Sequence, residues 1–169
     1  MVDIAWIDVE TTGLDPRRHE IIDIWCLLAT PDREIISEVG GLVLPTSIET
    51  AQPRALEING YTPERWAEEG RTWAEVWAEV APMLWGSRLA GHNTPFDYSH
   101  IVLQCSREGS VMPRVVPPHL DTLTIARRLV RADSYSLSAL CTHFGISNEG
   151  AHGARADARR AFELYGRLV

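Results

Sequence analysis

Lysine is absent from the 169-residue chain, and all 16 basic residues are arginine. A lysine nucleophile or Schiff base is thereby excluded, and any phosphate contact from a basic side chain uses a planar, bidentate guanidinium. A GC-rich genome is the plain explanation of the bias. Long apolar runs are also missing, since none approaches the ~20 residues of a membrane-spanning helix. The N-terminus, Met1-Val2-Asp3, lacks the basic-then-apolar order of a secretory signal. Cysteine is scarce: Cys26, Cys105 and Cys141 are odd in number, far apart and outside any Cys-x-x-Cys pattern. Free thiols in a reducing compartment follow, and with them a cytoplasmic location. Repeats and low-complexity tracts are absent too.

What remains is an ordinary globular composition, 45% hydrophobic and 23% charged, in a length that suits one domain with its own core. The 23 acids against 16 bases give a formal charge of −7, which on its face argues against a nucleic-acid partner. That argument weakens if the acids hold cations: two bound divalent ions would bring −7 + 4 to −3, with the positive charge at the site itself.

Residues 2–7 form a nearly unbroken apolar run, suited to a central strand buried on both faces. Residues 20–29 and 34–44 are two further β-rich runs, and the short linkers favour an antiparallel meander. Helical periodicity follows. A short helix is predicted over Pro53–Ile58, and Thr62-Pro63 starts another. Thr72 and Glu75 form a capping box ahead of a stripe of Trp73, Val76, Trp77, Val80 and Leu84. Arg88–Gly91 reads as a fourth strand and residues 95–107 as a helix, with Asn93 or Thr94 as its cap. Residues 115–120 are a weak fifth strand, after which Asp121 caps the next helix. A stripe of Leu137, Leu140, Cys141 and Phe144 stops at Gly145, and a last helix spans Ala154–Leu168. This order predicts an α/β fold: a mixed five-stranded sheet, its first three strands antiparallel, with helices on both faces and a single domain over residues 1–169.

Three short segments carry chemistry: Asp8-Val9-Glu10, His92-Asn93-Thr94-Pro95-Phe96-Asp97 and His152-Gly153-Ala154-Arg155-Ala156-Asp157. Asp8 and Glu10, two apart at the end of a strand, leave the same face. Asp157 shares a helical face with Ala161, Leu164 and Leu168, while Arg159 and Glu163 point elsewhere and are able to pair. An aspartate on that buried face needs a partner. Carboxylates brought together repel one another unless cations neutralise them, so a divalent-metal site is the leading reading. His152 cannot share the face of Asp157, five residues later at 3.6 residues per turn. It belongs to a preceding loop, flanked by Gly150 and Gly153, where a mobile imidazole suits a general base. Asp97 falls in the first turn of its helix as a candidate fourth carboxylate, and His92 is a hydrogen-bonded strand-end residue.

Asp8-x-Glu10, His92-Asn93-x-x-Phe96-Asp97 and His152-x4-Asp157, in that order, resemble the three exonuclease motifs of the DEDDh family. Its members include the proofreading, epsilon-type subunit of bacterial replicative polymerases and stand-alone DNases and RNases. The resemblance implies a ribonuclease H-like fold and a 3′→5′ exonuclease that releases nucleoside 5′-monophosphates from single-stranded or frayed 3′ ends, DNA being favoured over RNA. It implies two Mg²⁺ or Mn²⁺ ions on Asp8, Glu10, Asp97 and Asp157, with His152 as the base. Thr11, Thr12, Gly13, Leu14, Leu56, Asn93 and Phe96 are the implied substrate contacts, Leu14 and Phe96 against the terminal base. A DNA polymerase is the implied partner and a membrane is not. The alternatives are an RNA 3′-trimming enzyme of the same family and a non-catalytic nucleic-acid-binding accessory module on the same fold.

Overall fold

The computed structural model describes residues 2–169. Its centre is a sheet of five strands in the order β3-β2-β1-β4-β5. β1 (Ile4–Thr11) pairs antiparallel with β2 (Ile21–Ala29), which pairs antiparallel with β3 (Ile35–Leu42). On its other side β1 runs parallel to β4 (Arg88–Gly91), and β4 parallel to β5 (Leu120–Asp121). The mixed sheet expected from the sequence is therefore present, with its first three strands antiparallel.

Two boundaries differ from expectation. β1 does not stop at residue 7 but continues through both acids to Thr11, because β2 offers ladder partners as far as Glu10↔Asp23 and Thr11↔Ile21. β5 is two residues rather than six, since Pro117 and Pro118 supply no ladder N–H.

Burial on both faces of β1 explains its composition. Ala5, Ile7 and Val9 point to one side, against Trp73, Val76, Trp77 and Val80 of α3 (Trp73–Leu84) and Ile101 and Cys105 of α4 (Thr94–Arg107). Ile4 and Trp6 point to the other, against Ala161 and Phe162 of α7 (Ala154–Leu168). Each fully buried aliphatic side chain in these layers contributes about 1.5–3 kcal/mol. α3 starts at the expected capping box: Thr72 Oγ1 accepts from the Glu75 N–H at 3.3 Å, and Glu75 Oε2 accepts from the Thr72 N–H at 2.9 Å.

Four shorter α-helices and a 3-10 turn at Ile48–Thr50 complete the described residues: α1 (Pro53–Ile58), α2 (Pro63–Glu69), α5 (Thr122–Leu129) and α6 (Leu137–His143). Asp121 caps α5 as expected, accepting the Leu123 N–H at 3.2 Å. Leu164 of α7 is buried with Leu137, Leu140 and Cys141 of α6, while Leu168 is half-buried at the rim of that cluster. The expected Arg159–Glu163 pair does not form. Arg159 instead meets Glu38 of β3 at 2.8 Å, and Arg155 lies over the Trp25 ring, so both arginines tie α7 across β2 and β3. All three cysteines are free and buried, one each in β2, α4 and α6. No helix among the described residues is long and apolar enough to cross a membrane.

Candidate active site

The acids gather where β1 outruns its parallel neighbour. β4 pairs with β1 only as far as Trp6↔Ala90, which leaves the next part of β1 open on that side. α4 begins there and delivers Asp97, whose Oδ1 accepts the Val9 N–H at 3.0 Å, between Asp8 and Glu10 in sequence. Gly91 lets the end of β4 lie close against β1: a Cβ there would stand 2.9 Å from the Ile7 carbonyl, whereas Asp97 Oδ2, at 3.8 Å, is in ordinary contact range. From the opposite face, α7 brings Asp157 in its first turn. Asp8, Glu10 and Asp157 each present a carboxylate oxygen within 4.8 Å of the others. Asp97 is buried beside them, held by the backbone of the strand that carries the first two.

The electrostatics are those of acids crowded together, Asp97 buried and the other three half-buried. Burial, followed by the charges of Asp97, Glu10 and Asp157, holds the Asp8 carboxyl well above the usual range. Glu10 is pushed up to about 8, again by burial first and then by Asp157 and Asp23. Asp97 reaches about 8 through burial, partly offset by the Val9 amide. Such a cluster exists either protonated or with cations beside it. An all-oxygen donor set is what hard divalent ions such as Mg²⁺ and Mn²⁺ prefer, so the residues present fit such ions.

One cation is already built in. Arg160, buried on α7, pairs through Nη2 with Asp157 Oδ1 and through Nη1 with Asn148 Oδ1. Nothing in the spacing of the motifs singles Arg160 out. Its signal is position alone, three residues after Asp157 and so on the same side of the helix.

His152 lies on the loop before α7, exposed and with φ of 66°, and not inside the carboxylate cluster. His92 is bound at both ring nitrogens, by the Thr122 hydroxyl at 2.9 Å and the Tyr135 carbonyl at 3.0 Å, as a strand-end residue should be. The remaining expected contacts divide. Glu10, Thr11, Gly13, Leu14 and Phe96 line one cleft of about 280 Å³, whose other wall is Ala55 and Ile58 of α1 and its C-cap residue Asn59. Asn59, read from the sequence only as a turn residue, donates through Nδ2 to the Thr11 carbonyl at 2.8 Å and docks α1 on the strand end.

Thr12, Leu56 and Asn93 are not part of that cleft. Thr12 is fully buried and its hydroxyl accepts the Glu20 N–H at 2.9 Å. Leu56 turns inward to Ile22, Leu42 and Trp66, because the helical repeat puts residues 55, 58 and 59 on the open face. Asn93 sits at the N-cap of α4 with φ of 69° and makes no side-chain cap bond, nor does Thr94, whose hydroxyl donates to the Leu120 carbonyl at 2.7 Å. The Asn93 N–H donates instead to Asp121 Oδ1 at 2.8 Å, on the side of the site away from the cleft.

A mixed five-stranded sheet in this order, with acids from two helices converging on its central strand, defines a ribonuclease H-like exonuclease fold. The chain belongs to the exonuclease family: that family's model, described as Exonuclease, matches residues 5–165. Among relatives, the PolC-type DNA polymerase III of Thermotoga petrophila is 34% identical over 164 residues, which are 96% of this chain and 12% of that protein. The epsilon subunit of DNA polymerase III from Rickettsia conorii is 29% identical over 96% of this chain and 72% of its own length. The epsilon subunit from Escherichia coli K12 is 28% identical over 94% and 68%. The chain thus spans about an eighth of the PolC-type proteins and about seven tenths of the epsilon subunits. Among solved structures, E. coli exonuclease I in complex with a dT13 oligonucleotide superposes with a TM-score of 0.85 at 19% identity, over 99% of this chain and 41% of that one. Exonuclease I from Methylocaldum szegediense gives 0.81 at 25% identity, over 100% and 40%.

Proposed function

We propose that the chain is a divalent-metal-dependent exonuclease that removes nucleoside 5′-monophosphates from the 3′ end of single-stranded or frayed DNA. The observation that carries this reading is the gathering of Asp8, Glu10 and Asp157 within 4.8 Å, with Asp97 beside them, Glu10 also lining a partly apolar cleft. The family membership and the single-stranded DNA bound by E. coli exonuclease I support it.

Asp8, Glu10, Asp97 and Asp157 would hold two Mg²⁺ or Mn²⁺ ions. When bound, such ions neutralise charge that develops on phosphoryl oxygens and ease the deprotonation of water. The protein's own residues do the rest. Leu14 and Phe96 offer apolar surface to a terminal base without reading its identity. Thr11 donates its hydroxyl to the Gly13 carbonyl at 2.8 Å and so fixes the turn that forms the cleft floor. His152 takes the proton of the attacking water on a ring nitrogen, and its exposed position lets that proton pass on to solvent. Residues 1–169 act as one catalytic unit. Because its relatives include DNA polymerase III subunits, a replicative polymerase is the proposed partner.

A 5′-labelled single strand should shorten stepwise in Mg²⁺ and stay intact in EDTA. Asp8→Asn should slow the reaction by at least ~10²-fold, the scale of losing one preorganised charge-stabilising group. Undiminished laddering in that variant would sink the proposal. Running mismatched duplex DNA and short RNA beside the single strand ranks the substrates.

A further inference from the structure

Asp23 lies on β2 directly opposite Glu10 in the antiparallel register, so both side chains leave the face that α7 covers. It is nevertheless outside the group whose oxygens converge within 4.8 Å. Its Oδ2 instead accepts the Ala154 N–H at 3.0 Å, bridging 131 residues of sequence. That amide is one of the four at the start of α7 that have no partner within the helix. The N-cap position is Gly153, which has no side chain and makes no cap bond. A strand therefore supplies the cap that the helix's own sequence omits.

The loop entering α7 has little else to hold it to the sheet. Upstream, Asn148 is anchored by its Nδ2, which donates to the Ser138 carbonyl at 3.1 Å and to Thr142 Oγ1 at 2.9 Å. Between Asn148 and Ala154 the bonds among the described residues are local: Glu149 N–H to Ser147 Oγ and Ala151 N–H to the Asn148 carbonyl. His152 sits in this stretch with a left-handed φ of 66° that residues carrying a Cβ rarely adopt. The first tie to the sheet after His152 comes two residues later, and Asp23 makes it.

We propose that Asp23 is a positioning residue for His152: by capping α7 from β2 it sets where the exposed loop places the imidazole relative to Glu10 and Asp157. This rests on the exonuclease reading above. A displacement of about 1 Å in such a group is enough to cost ~10²-fold in rate.

The test compares Asp23→Ala, Asp23→Asn, His152→Ala and the Asp23→Ala/His152→Ala double variant, at a temperature where all are folded. Asp23→Ala should lower kcat by ~10–100-fold with KM for the oligonucleotide near that of the parent. Asparagine keeps an amide oxygen able to accept the same N–H, so Asp23→Asn should recover most of the rate. In the His152→Ala background, Asp23→Ala should add little further loss. Hydrogen exchange gives a readout independent of activity: the Ala154 amide should be protected in the parent and in Asp23→Asn, and exposed in Asp23→Ala. Asp23→Asn as slow as Asp23→Ala, or losses that multiply in the double variant, would overturn the role. A parent protein with no exonuclease activity would instead remove the underlying reading, and this role with it.

Discussion

Arg160 joins two parts of the site that the backbone leaves separate. One guanidinium nitrogen holds Asp157, and the other holds Asn148 at the start of the loop that carries His152. Its side chain is 5% exposed and that of Asp157 13%, so the pair is largely out of water. Removing one partner of such a pair typically costs about 3–5 kcal/mol, because the other charge is left buried and unmatched. Arg160→Leu should approach that loss in urea unfolding with EDTA present. It should lose distinctly less in Mg²⁺, where a cation can meet the Asp157 carboxylate. Equal losses in the two conditions would separate Arg160 from the carboxylate cluster.

Among the elements, the turn after β1 shows how local chemistry shapes the cleft. Gly13 lies against His19, and a Cβ at that position would stand 2.6 Å from the imidazole Nε2. That ring is itself committed, its Nδ1 accepting the Asp15 N–H at 2.9 Å. Gly13→Ala should therefore reshape the turn that carries Leu14, raising KM for an oligonucleotide by about tenfold, or ~1.4 kcal/mol. It should leave the Mg²⁺-induced rise in Tm unchanged, since the carboxylates sit on the strand and not on the turn. An unchanged KM would show that the turn plays no part in holding substrate.

Elements were legible in the sequence wherever their cause was local. The capping box of α3, the cap on α5 and the apolar side of α7 each follow from residues within about one helical turn of one another. What escaped was decided by distant partners. β1 extends through Asp8 and Glu10 because β2 is there to pair with it, and no hydropathy pattern in residues 8–11 reports that. Arg159 prefers Glu38, 121 residues away, to the nearby Glu163. Leu56 was a reasonable cleft residue by type, but the helix turns it to Trp66. The candidate site followed the same division. The ordered motifs indicated Asp8, Glu10, Asp97 and Asp157, whereas Asp23, Arg160 and Asn59 show only once strands and helices are set side by side.

At the scale of the whole molecule, the acids at the sheet centre tie stability to pH. Asp8, Glu10 and Asp97 all have carboxyls raised by burial, Glu10 and Asp97 to about 8. Between the ordinary carboxylate range, near pH 4, and about pH 8, the folded chain keeps protons that the unfolded chain releases. Raising the pH through that window favours unfolding, by about 1.4 kcal/mol per unit for each proton so retained. In EDTA, Tm should fall from pH 6 to pH 8, and Glu10→Gln should flatten the slope. Mg²⁺ at pH 8 should restore Tm by binding the folded form alone. A metal-free Tm that rises over this interval would show that the cluster is not strained by its own charge.

The three cysteines have a different consequence. Burial raises all three thiols, Cys105 to about 12, so none offers a ready thiolate at the surface. One belongs to a sheet strand, one to the helix that delivers Asp97 and one to the helix beneath α7. An alkylating reagent that captures one of them has met a chain already opened at that place. The three sites divide the molecule into layers whose breathing can be timed one by one.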